Sequence, residues 1–232
     1  MTVSEPIIAL SNLSKRYGDG DRAVWALRNV SLSVAPRELV TVSGPSGSGK
    51  TTLLNLISGL DFPTSGEVRL DGQAIHDLPN HEMARLRRRL VTMVFQFFNL
   101  LPTLTAAQNV AVPLRADRKP RAMVAERTRE ALEAVGMSHR ADRYPGELSG
   151  GEMQRVAIAR AIATDARIIL ADEPTGNLDT ARGKEILELL RRASEEDGRA
   201  IVLVTHDPRA AAFGDREIIL SDGRIAVSRP RR

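Results

Sequence analysis

The chain of 232 residues is 42% hydrophobic and 27% charged, which is enough apolar sequence for one large domain with a substantial core. It contains no cysteine, so disulfides, thiolate metal sites and cysteine nucleophiles are excluded. Its 33 basic and 29 acidic residues give a net charge of +4, a modest excess that permits contact with nucleic acid or an anionic membrane surface without requiring it.

The beginning of the sequence, MTVSEPIIALSNLSKRYG, has no basic segment before an apolar run and no small-residue cleavage site, unlike a signal peptide. No stretch reaches the roughly 18 unbroken apolar residues that predict a membrane span. We therefore expect a soluble, cytoplasmic protein that reaches a membrane only through a partner.

Apolar, β-rich runs alternate with helical patterns along the chain. The runs at residues 38–43, 167–171 and 200–205 are continuously apolar, which predicts strands of a parallel sheet covered on both faces. Helical patterns occupy residues 51–58, 122–135 and 180–194, and a glycine lies at or just beyond the end of each. This alternation predicts an α/β fold with right-handed βαβ crossovers.

Two further segments predict antiparallel hairpins: residues 67–70 beside Asp71-Gly72, and residues 216–227 folded at Asp222-Gly223. Residues 97–163 lack β-rich runs and are predicted to form a helical insertion. We expect a single domain over residues 1–232, with its core in residues 1–96 and 164–232.

Two basic clusters stand out, residues 85–89 (RLRRR) and the C-terminal RPRR. A polyanion-binding patch is one interpretation of each cluster. The alternatives are a solvated helix face and a frayed tail.

A glycine-rich turn, GPSGSGKT, lies between the predicted strand at residues 38–43 and the helix at 51–58, and fits the phosphate-binding pattern G-x-x-x-x-G-K-[ST]. Its backbone N–H groups and the helix N-terminus can bind phosphates, Lys50 can reach the terminal phosphates, and the Thr51 hydroxyl can bind Mg²⁺. The alternative is a flexible turn with an exposed lysine. The candidate nucleotide-binding residues here are Gly44, Pro45, Ser46, Gly47, Ser48, Gly49, Lys50, Thr51 and Thr52.

Two acids follow the apolar strand at residues 167–171. Asp172, at the strand end, could bind Mg²⁺ directly or through water. Glu173 could act as the general base that polarises water toward the γ-phosphate. A neighbouring metal would allow both carboxylates to stay ionised. A solvated Asp-Glu loop would be the ordinary interpretation if no phosphate-binding turn preceded it.

His206 and Gln96 are less specific candidates. His206 follows the strand at residues 200–205, at the sheet end where α/β proteins bind ligands, and could donate to the γ-phosphate; a structural histidine is the alternative. Gln96 is either a loop amide or an oxygen ligand for metal or water.

A second candidate anion site is the sequence LSGGEMQ, in which Ser149 is placed as a helix cap and two glycines leave backbone N–H groups bare. A cap without a ligand is the alternative. Because the chain has one phosphate-binding turn and two anion sites, a head-to-tail pair would let the second site of each copy close over the nucleotide of the other. The candidate residues are Leu148, Ser149, Gly150, Gly151 and Glu152.

With GPSGSGKT, LSGGEMQ and ILADEP in this order, the chain resembles the ATP-binding subunits of ABC transporters over essentially its whole length. The resemblance implies a P-loop NTPase core, an antiparallel β subdomain from the N-terminal strands, and an inserted helical subdomain at residues 97–163 that carries LSGGEMQ. It also implies ATP hydrolysis with Mg²⁺, an ATP-sandwiched homodimer, and a position on the inner face of the membrane through a permease.

The same resemblance implies roles for four further positions. Tyr17 would stack on adenine, Gln96 would sense Mg²⁺ and the membrane partner, and His206 would act as a switch. Asp179 would communicate across the dimer, and a helix N-cap at this position is compatible with that role.

The stretches FQFFNLLPTLTAAQNVAVPL and ADEPTGNLD are similar to the branch of lipoprotein-releasing, macrolide-exporting and cell-division ATPases, whose permeases transmit work across the envelope. Met153 and Gln108 depart from residues common there. The partner groove is expected near residues 96–102, lined by Phe95, Phe97 and Phe98, unless these rings are buried in the chain's own core.

Two other functions compete with this one. An importer ATPase is the first, and FQFFNLLPTLT argues mildly against it. A soluble ABC ATPase acting on nucleic acid is the second; such relatives usually carry two cassettes or a long inserted coiled coil, and this chain has neither, so no nucleic-acid partner is expected.

Overall fold

The computed structural model describes residues 5–76 and 78–230, so Arg231 and Arg232 at the end of the RPRR cluster lie outside the described residues. The strands are β1 (Ile8–Tyr17), β2 (Val24–Val34), β3 (Leu39–Ser43), β4 (Ser65–Leu70), β5 (Gln73–Ala74), β6 (Val91–Val94), β7 (Ile168–Asp172), β8 (Ala200–Thr205), β9 (Arg216–Ser221) and β10 (Arg224–Pro230). The α-helices are α1 (Lys50–Ile57), α2 (Asn80–Leu90), α3 (Ala106–Ala116), α4 (Arg121–Ala134), α5 (Gly150–Ile162), α6 (Thr180–Glu195) and α7 (Pro208–Ala211).

The N-terminal strands form an antiparallel sheet in the order β2-β1-β4-β5. The β1 side chains Ile8, Leu10 and Leu13 are buried in it, while Tyr17 at the end of β1 is exposed. The predicted antiparallel β subdomain is therefore confirmed.

The second sheet has the order β10-β9-β3-β8-β7-β6, in which β10 is antiparallel to β9 and all other neighbours are parallel. Successive side chains of its strands alternate between two hydrophobic clusters, so that Val202 and Val204 face one while Ile201 and Leu203 face the other. Burial on both faces explains the continuous apolarity of these strands.

The sheet order determines which loops meet. Strands β3, β8 and β7 are adjacent, with Ser43 opposite Thr205 and Asp172 opposite Val204. The loops after these strands therefore leave the sheet side by side, at its carboxyl edge. The turn GPSGSGKT, His206 and Glu173 begin those three loops.

Residues 97–163 form only helices and turns, and α3, α4 and α5 pack into one of the two hydrophobic clusters. The helical character of this insertion agrees with the prediction, while its boundaries at 97 and 163 stay a prediction. No helix within residues 5–76 and 78–230 combines the length and the apolar character that crossing a membrane would need.

Two features depart from or refine the predicted elements. The four-residue strand β6 has no counterpart among the predicted strands, because so short a run shows no clear period. The RLRRR cluster lies on α2, where Leu86 and Leu90 are buried and Arg85, Arg88 and Arg89 are exposed. Exposed arginines opposite buried leucines are the arrangement that the solvated-face interpretation predicts, and the polyanion-binding interpretation stays untested.

Candidate nucleotide site

The turn between β3 and α1 depends on glycine at two positions where the backbone packs closely. A Cβ at Gly44 would lie 2.1 Å from the Leu220 carbonyl oxygen, and one at Gly49 would lie 2.3 Å from that of Ala26. Both residues have positive φ, 150° at Gly44 and 103° at Gly49. Gly47 has no such neighbour and lines an open cavity instead.

This cavity, of about 570 Å³, brings together residues from five separate parts of the sequence. It is lined by Ala26, Ser46, Gly47, Gly49, Lys50, Thr51, Thr52, Gln96, Glu173 and His206. Three of the predicted turn residues, Gly44, Pro45 and Ser48, do not line it. Ser48 is buried, with 3% of its surface exposed, and the other two contribute backbone carbonyls.

Lys50 begins α1 and is 8% exposed. Its Nζ donates to the carbonyl oxygens of Gly44, at 2.9 Å, and Pro45, at 2.8 Å. The ammonium group is therefore held within the turn by two neutral carbonyl acceptors. A charge fixed in this way is available to an incoming phosphate.

Thr51 and Asp172 form a cluster of hard oxygen donors. The Thr51 hydroxyl donates to Asp172 Oδ2 at 3.4 Å. Burial and the neighbouring charge of Glu173 raise the pKa of Asp172, against the opposing effects of Thr51 and Lys50. A bound cation would relieve this penalty, so the cluster fits Mg²⁺.

Within the described ranges, no group of three or more His, Cys, Asp or Glu side chains is placed to bind a metal ion. Mg²⁺ typically keeps water molecules and substrate phosphates as ligands rather than a full set of side chains. One carboxylate and one hydroxyl beside the phosphate-binding turn therefore suffice for it.

Glu173 and His206 make a contact that was not predicted from sequence. His206 Nδ1 lies 2.6 Å from Glu173 Oε2, with the Glu173 side chain 17% exposed and that of His206 64% exposed. Glu173 adopts a positive φ of 45°, and its backbone N–H donates to the Val204 carbonyl at 2.9 Å. A left-handed glutamate is strained, and the hydrogen bond to the end of β8 holds it in place.

Gln96 lies two residues after β6 and reaches the same cavity. A Cβ at Gly176 would lie 3.1 Å from Gln96 Nε2 and 3.3 Å from Glu173 Oε2, so a larger residue there would push both side chains. The Asn177 amide also donates to the Gln96 carbonyl at 3.1 Å. Gly176 and Asn177 thus support the site, and the sequence analysis did not predict this. Their position a few residues after Asp172 and Glu173 could have indicated it.

The LSGGEMQ turn lies outside this cavity. Ser149 caps α5, and its side chain and that of Glu152 exchange hydrogen bonds with each other's backbone N–H groups at 3.3 and 2.8 Å. Those contacts lower the pKa of Glu152, as does Arg140. A separate cavity of about 370 Å³ is lined by Ser149, Gly151, Glu152, Arg155, Arg182, Glu185 and Ile186. Leu148 and Gly150 are not among these residues.

Asp179 caps α6, where its Oδ1 accepts from the N–H groups of Ala181, at 3.1 Å, and Arg182, at 3.0 Å. Its other oxygen lies 3.4 Å from the Arg182 guanidinium, which lines the LSGGEMQ cavity. The aspartate therefore has a structural role that also links it to that cavity.

Tyr17 lies beside the phosphate-binding helix rather than in the cavity itself. Its hydroxyl donates to Asp61 Oδ2 at 2.7 Å, and the Thr52 side chain of α1 also interacts with it. Burial and the bond to Asp61 raise the pKa of Tyr17. Since Thr52 lines the cavity, the tyrosine stands at its margin.

Residues 27–176 match the family model of the ABC transporter. The chain belongs to the ABC transporter family of ATP-binding proteins. This ABC ATPase is 47% identical over 223 residues to the uncharacterized ABC transporter ATP-binding protein MJ0796 of Methanocaldococcus jannaschii, covering 94% of this chain and 95% of the relative. It is 46% identical over 220 residues to the lipoprotein-releasing system ATP-binding protein LolD of Bordetella pertussis, covering 95% of each.

Solved structures support the same family. The ABC ATPase matches a dimeric, post-hydrolysis structure of the MJ0796 cassette bound to ADP and Pi with a TM-score of 0.90 and 43% identity, covering 97% of this chain and 99% of that one. It matches cbiO1 from Clostridium perfringens, part of the cbiONQ complex, with a TM-score of 0.88 and 28% identity, covering 97% and 88%. The predicted family, fold class and ATPase activity are confirmed.

Proposed function

We propose that this ABC ATPase drives a separate membrane permease by ATP-dependent closure of a homodimer, and that the work is of the envelope type, such as lipoprotein release or macrolide export. The protein would act at the inner face of the membrane, through that permease. The similarity to LolD supports the branch, and the dimeric state of the MJ0796 cassette supports the homodimer.

The observation that carries the proposal is the separation of two anion sites within one chain. The phosphate-binding cavity and the LSGGEMQ cavity share no lining residue. The glycine N–H groups at the start of α5 can bind an anion, and the chain's own phosphate-binding turn does not reach them. A second copy, placed head to tail, supplies the nucleotide that fills it.

Within each site, the residues have distinct tasks. Lys50 and the turn N–H groups hold the phosphates, and Thr51, Asp172 and Gln96 would hold Mg²⁺. The metal supplies neutralisation of phosphate charge when bound. Glu173 accepts a proton from the attacking water, and His206, 2.6 Å from its carboxylate, orients it.

Dimerisation of a Ser149→Arg variant tests the shared site. We expect the Glu173→Gln variant to dimerise in Mg-ATP. The double variant Glu173→Gln/Ser149→Arg should stay monomeric, because the arginine fills the LSGGEMQ cavity. Light scattering measures the dimer, and ATP binding to the monomer should stay within twofold. The exposed Ser138→Arg serves as control. Weaker ATP binding by the monomer would place this turn at the chain's own nucleotide and contradict the proposal.

The partner groove is expected in the loop after Gln96. Phe97 is 73% exposed and Leu101 is 47% exposed, whereas Phe95 and Phe98 are half-buried. Phe97 is therefore on the surface, whereas Phe95 and Phe98 are partly covered. The Phe98 ring lies 3.7 Å from where a Gly150 Cβ would stand, so it touches the start of α5.

Arg160 of α5 holds this loop against the helix through hydrogen bonds. It donates to the carbonyl oxygens of Asn99 at 2.6 Å and Phe98 at 2.9 Å, and both of those residues have positive φ. A permease segment seated on the loop would therefore move the helix that LSGGEMQ begins.

Substitution of Phe98 by alanine is expected to uncouple the permease while sparing hydrolysis by the isolated subunit. The change removes the ring that links the loop to α5 but no group of the nucleotide cavity. ATPase activity with and without the co-purified permease measures the effect, which we expect as a severalfold loss of stimulation. Val227→Ala, on the exposed β10, is the control. Transport at the wild-type level in Phe98→Ala would contradict a coupling role for the loop.

A further inference from the structure

Asp61 lies in the loop between α1 and β4, and each of its carboxylate oxygens has its own long-range partner. Oδ2 accepts from the Tyr17 hydroxyl at 2.7 Å, and Oδ1 accepts from Lys15 Nζ at 2.6 Å. Oδ1 also accepts the Phe62 backbone N–H at 2.7 Å. One short loop thus connects to two residues at the end of β1.

Lys15 completes the arrangement. Its Nζ also donates to the Phe62 carbonyl at 2.7 Å and lies 4.9 Å from the centroid of the Tyr17 ring. The Lys15 side chain is 14% exposed and that of Asp61 is 26% exposed, so the pair is partly shielded from water. Burial raises the pKa of Asp61, but the contacts with Lys15, Tyr17 and Phe62 outweigh it, so that its pKa is lowered and the carboxylate stays charged.

The Tyr17 ring is therefore held at two places. Its hydroxyl is fixed by Asp61, and a cation lies over the ring, yet 43% of the residue remains exposed. Pairing of Tyr17 with Val24 in the β1–β2 ladder fixes only its backbone. Without Asp61, an exposed tyrosine would sample several rotamers, and ordering it would cost free energy when a ligand bound.

We propose that Asp61 is a positioning residue for nucleotide binding, which acts through the Tyr17 hydroxyl and Lys15 to preform a platform for the nucleotide base beside α1. The inference rests on the proposed function, in which the chain binds ATP, and on the expectation from the sequence that Tyr17 stacks on adenine. Among the described residues, the side-chain hydrogen bonds of Asp61 go to Lys15, Tyr17 and Phe62, none of which lines the cavity, so we expect its effect to fall on ligands that carry a base.

The test compares ADP with inorganic pyrophosphate, which lacks the base and ribose. ADP is chosen over ATP so that neither hydrolysis nor ATP-driven dimerisation contributes. Displacement of a fluorescent ribose-labelled ADP measures both affinities, and Trp25, opposite Arg16 in β2, provides an intrinsic signal near Tyr17. Asp71→Ala is the matched control, because Asp71 pairs with Arg167 instead of Tyr17.

Asp61→Ala is expected to weaken ADP binding by about 5–10-fold, the effect of one lost hydrogen bond, and to leave pyrophosphate binding within twofold. Tyr17→Phe keeps the ring but loses the hydroxyl, and should reproduce most of the loss in ADP affinity. The double variant Asp61→Ala/Tyr17→Phe should bind ADP no more weakly than Asp61→Ala alone. Asp61→Asn retains an acceptor and should lose less. A thermal melt of each variant verifies that it folds.

The outcomes separate this inference from the proposed function. If Tyr17→Ala weakens ADP binding but Asp61→Ala does not, the positioning role is wrong while the base platform stands. If Asp61→Ala weakens the binding of ADP and of pyrophosphate equally, Asp61 only stabilises the end of β1. That result also overturns the inference. If Tyr17→Ala changes the affinity for neither ligand, the base does not stack on Tyr17, and the inference is overturned while the proposed ATP-driven dimer closure stands.

Discussion

Glu173→Gln is expected to lower ATP turnover by roughly 10²–10⁴-fold while ATP remains bound, which is the usual contribution of a positioned general base. This loss corresponds to about 3–5 kcal/mol in the activation barrier. Glutamine keeps the shape of the side chain and a hydrogen-bond acceptor for His206, but it cannot take a proton from water. Phosphate release under saturating Mg-ATP measures the turnover.

The same variant should form a stable dimer in ATP and Mg²⁺, because closure is no longer reversed by hydrolysis. Size-exclusion chromatography should show a shift from monomer to dimer with nucleotide and none without it. Glu133→Gln, on the exposed surface of α4, is the control and should turn over ATP at the wild-type rate. A Glu173→Gln protein that binds ATP but stays monomeric would leave the LSGGEMQ turn without a nucleotide and contradict the shared site.

Lys50→Ala is expected to abolish measurable nucleotide binding, with a loss of at least about 100-fold in affinity, because a charge-assisted contact to phosphate is removed from a shielded site. Lys50 is the only lysine or arginine among the residues that line the cavity, all of them in the described part of the chain. The substitution also leaves the Gly44 and Pro45 carbonyls without their shared donor.

Equilibrium binding of a fluorescent nucleotide measures this effect. Lys50→Met keeps the apolar part of the side chain and separates loss of charge from collapse of the turn, and both variants should fail to bind. Lys184→Ala, an exposed lysine on α6, is the control. If Lys50→Ala bound ATP and formed dimers as Glu173→Gln does, the assignment of phosphate binding to Lys50 and proton transfer to Glu173 would be wrong.

Much of the nucleotide site could be predicted because its elements are local. The turn GPSGSGKT is eight consecutive residues, and its conformation depends on glycines whose positive φ other residues rarely adopt. The Ser149 cap likewise involves residues three apart. Strands β7 and β8 were recognisable because burial on both faces requires continuous apolar sequence.

Contacts between residues far apart in sequence could not be predicted from local patterns. Glu173 meets His206 only because β7 and β8 are neighbours in the sheet, and Tyr17 meets Asp61 across 44 positions of sequence. Gln96 could be named as a candidate, but its place beside Gly176 depends on β6, whose four residues carry too little pattern to predict. The half-buried position of Phe98 near the start of α5 also depends on the tertiary structure.

The sequence by itself therefore determined the family, the phosphate-binding turn, the acids after β7 and the cap of α5, because each is encoded by neighbouring residues and by the period of a single strand or helix. Only the tertiary structure decided that the phosphate-binding turn and the LSGGEMQ turn line separate cavities, that His206 meets Glu173 and that Asp61 accepts a hydrogen bond from Tyr17. Those facts follow from the order of strands in two sheets and from the packing of the helical insertion, which are non-local and are stabilised collectively by the core.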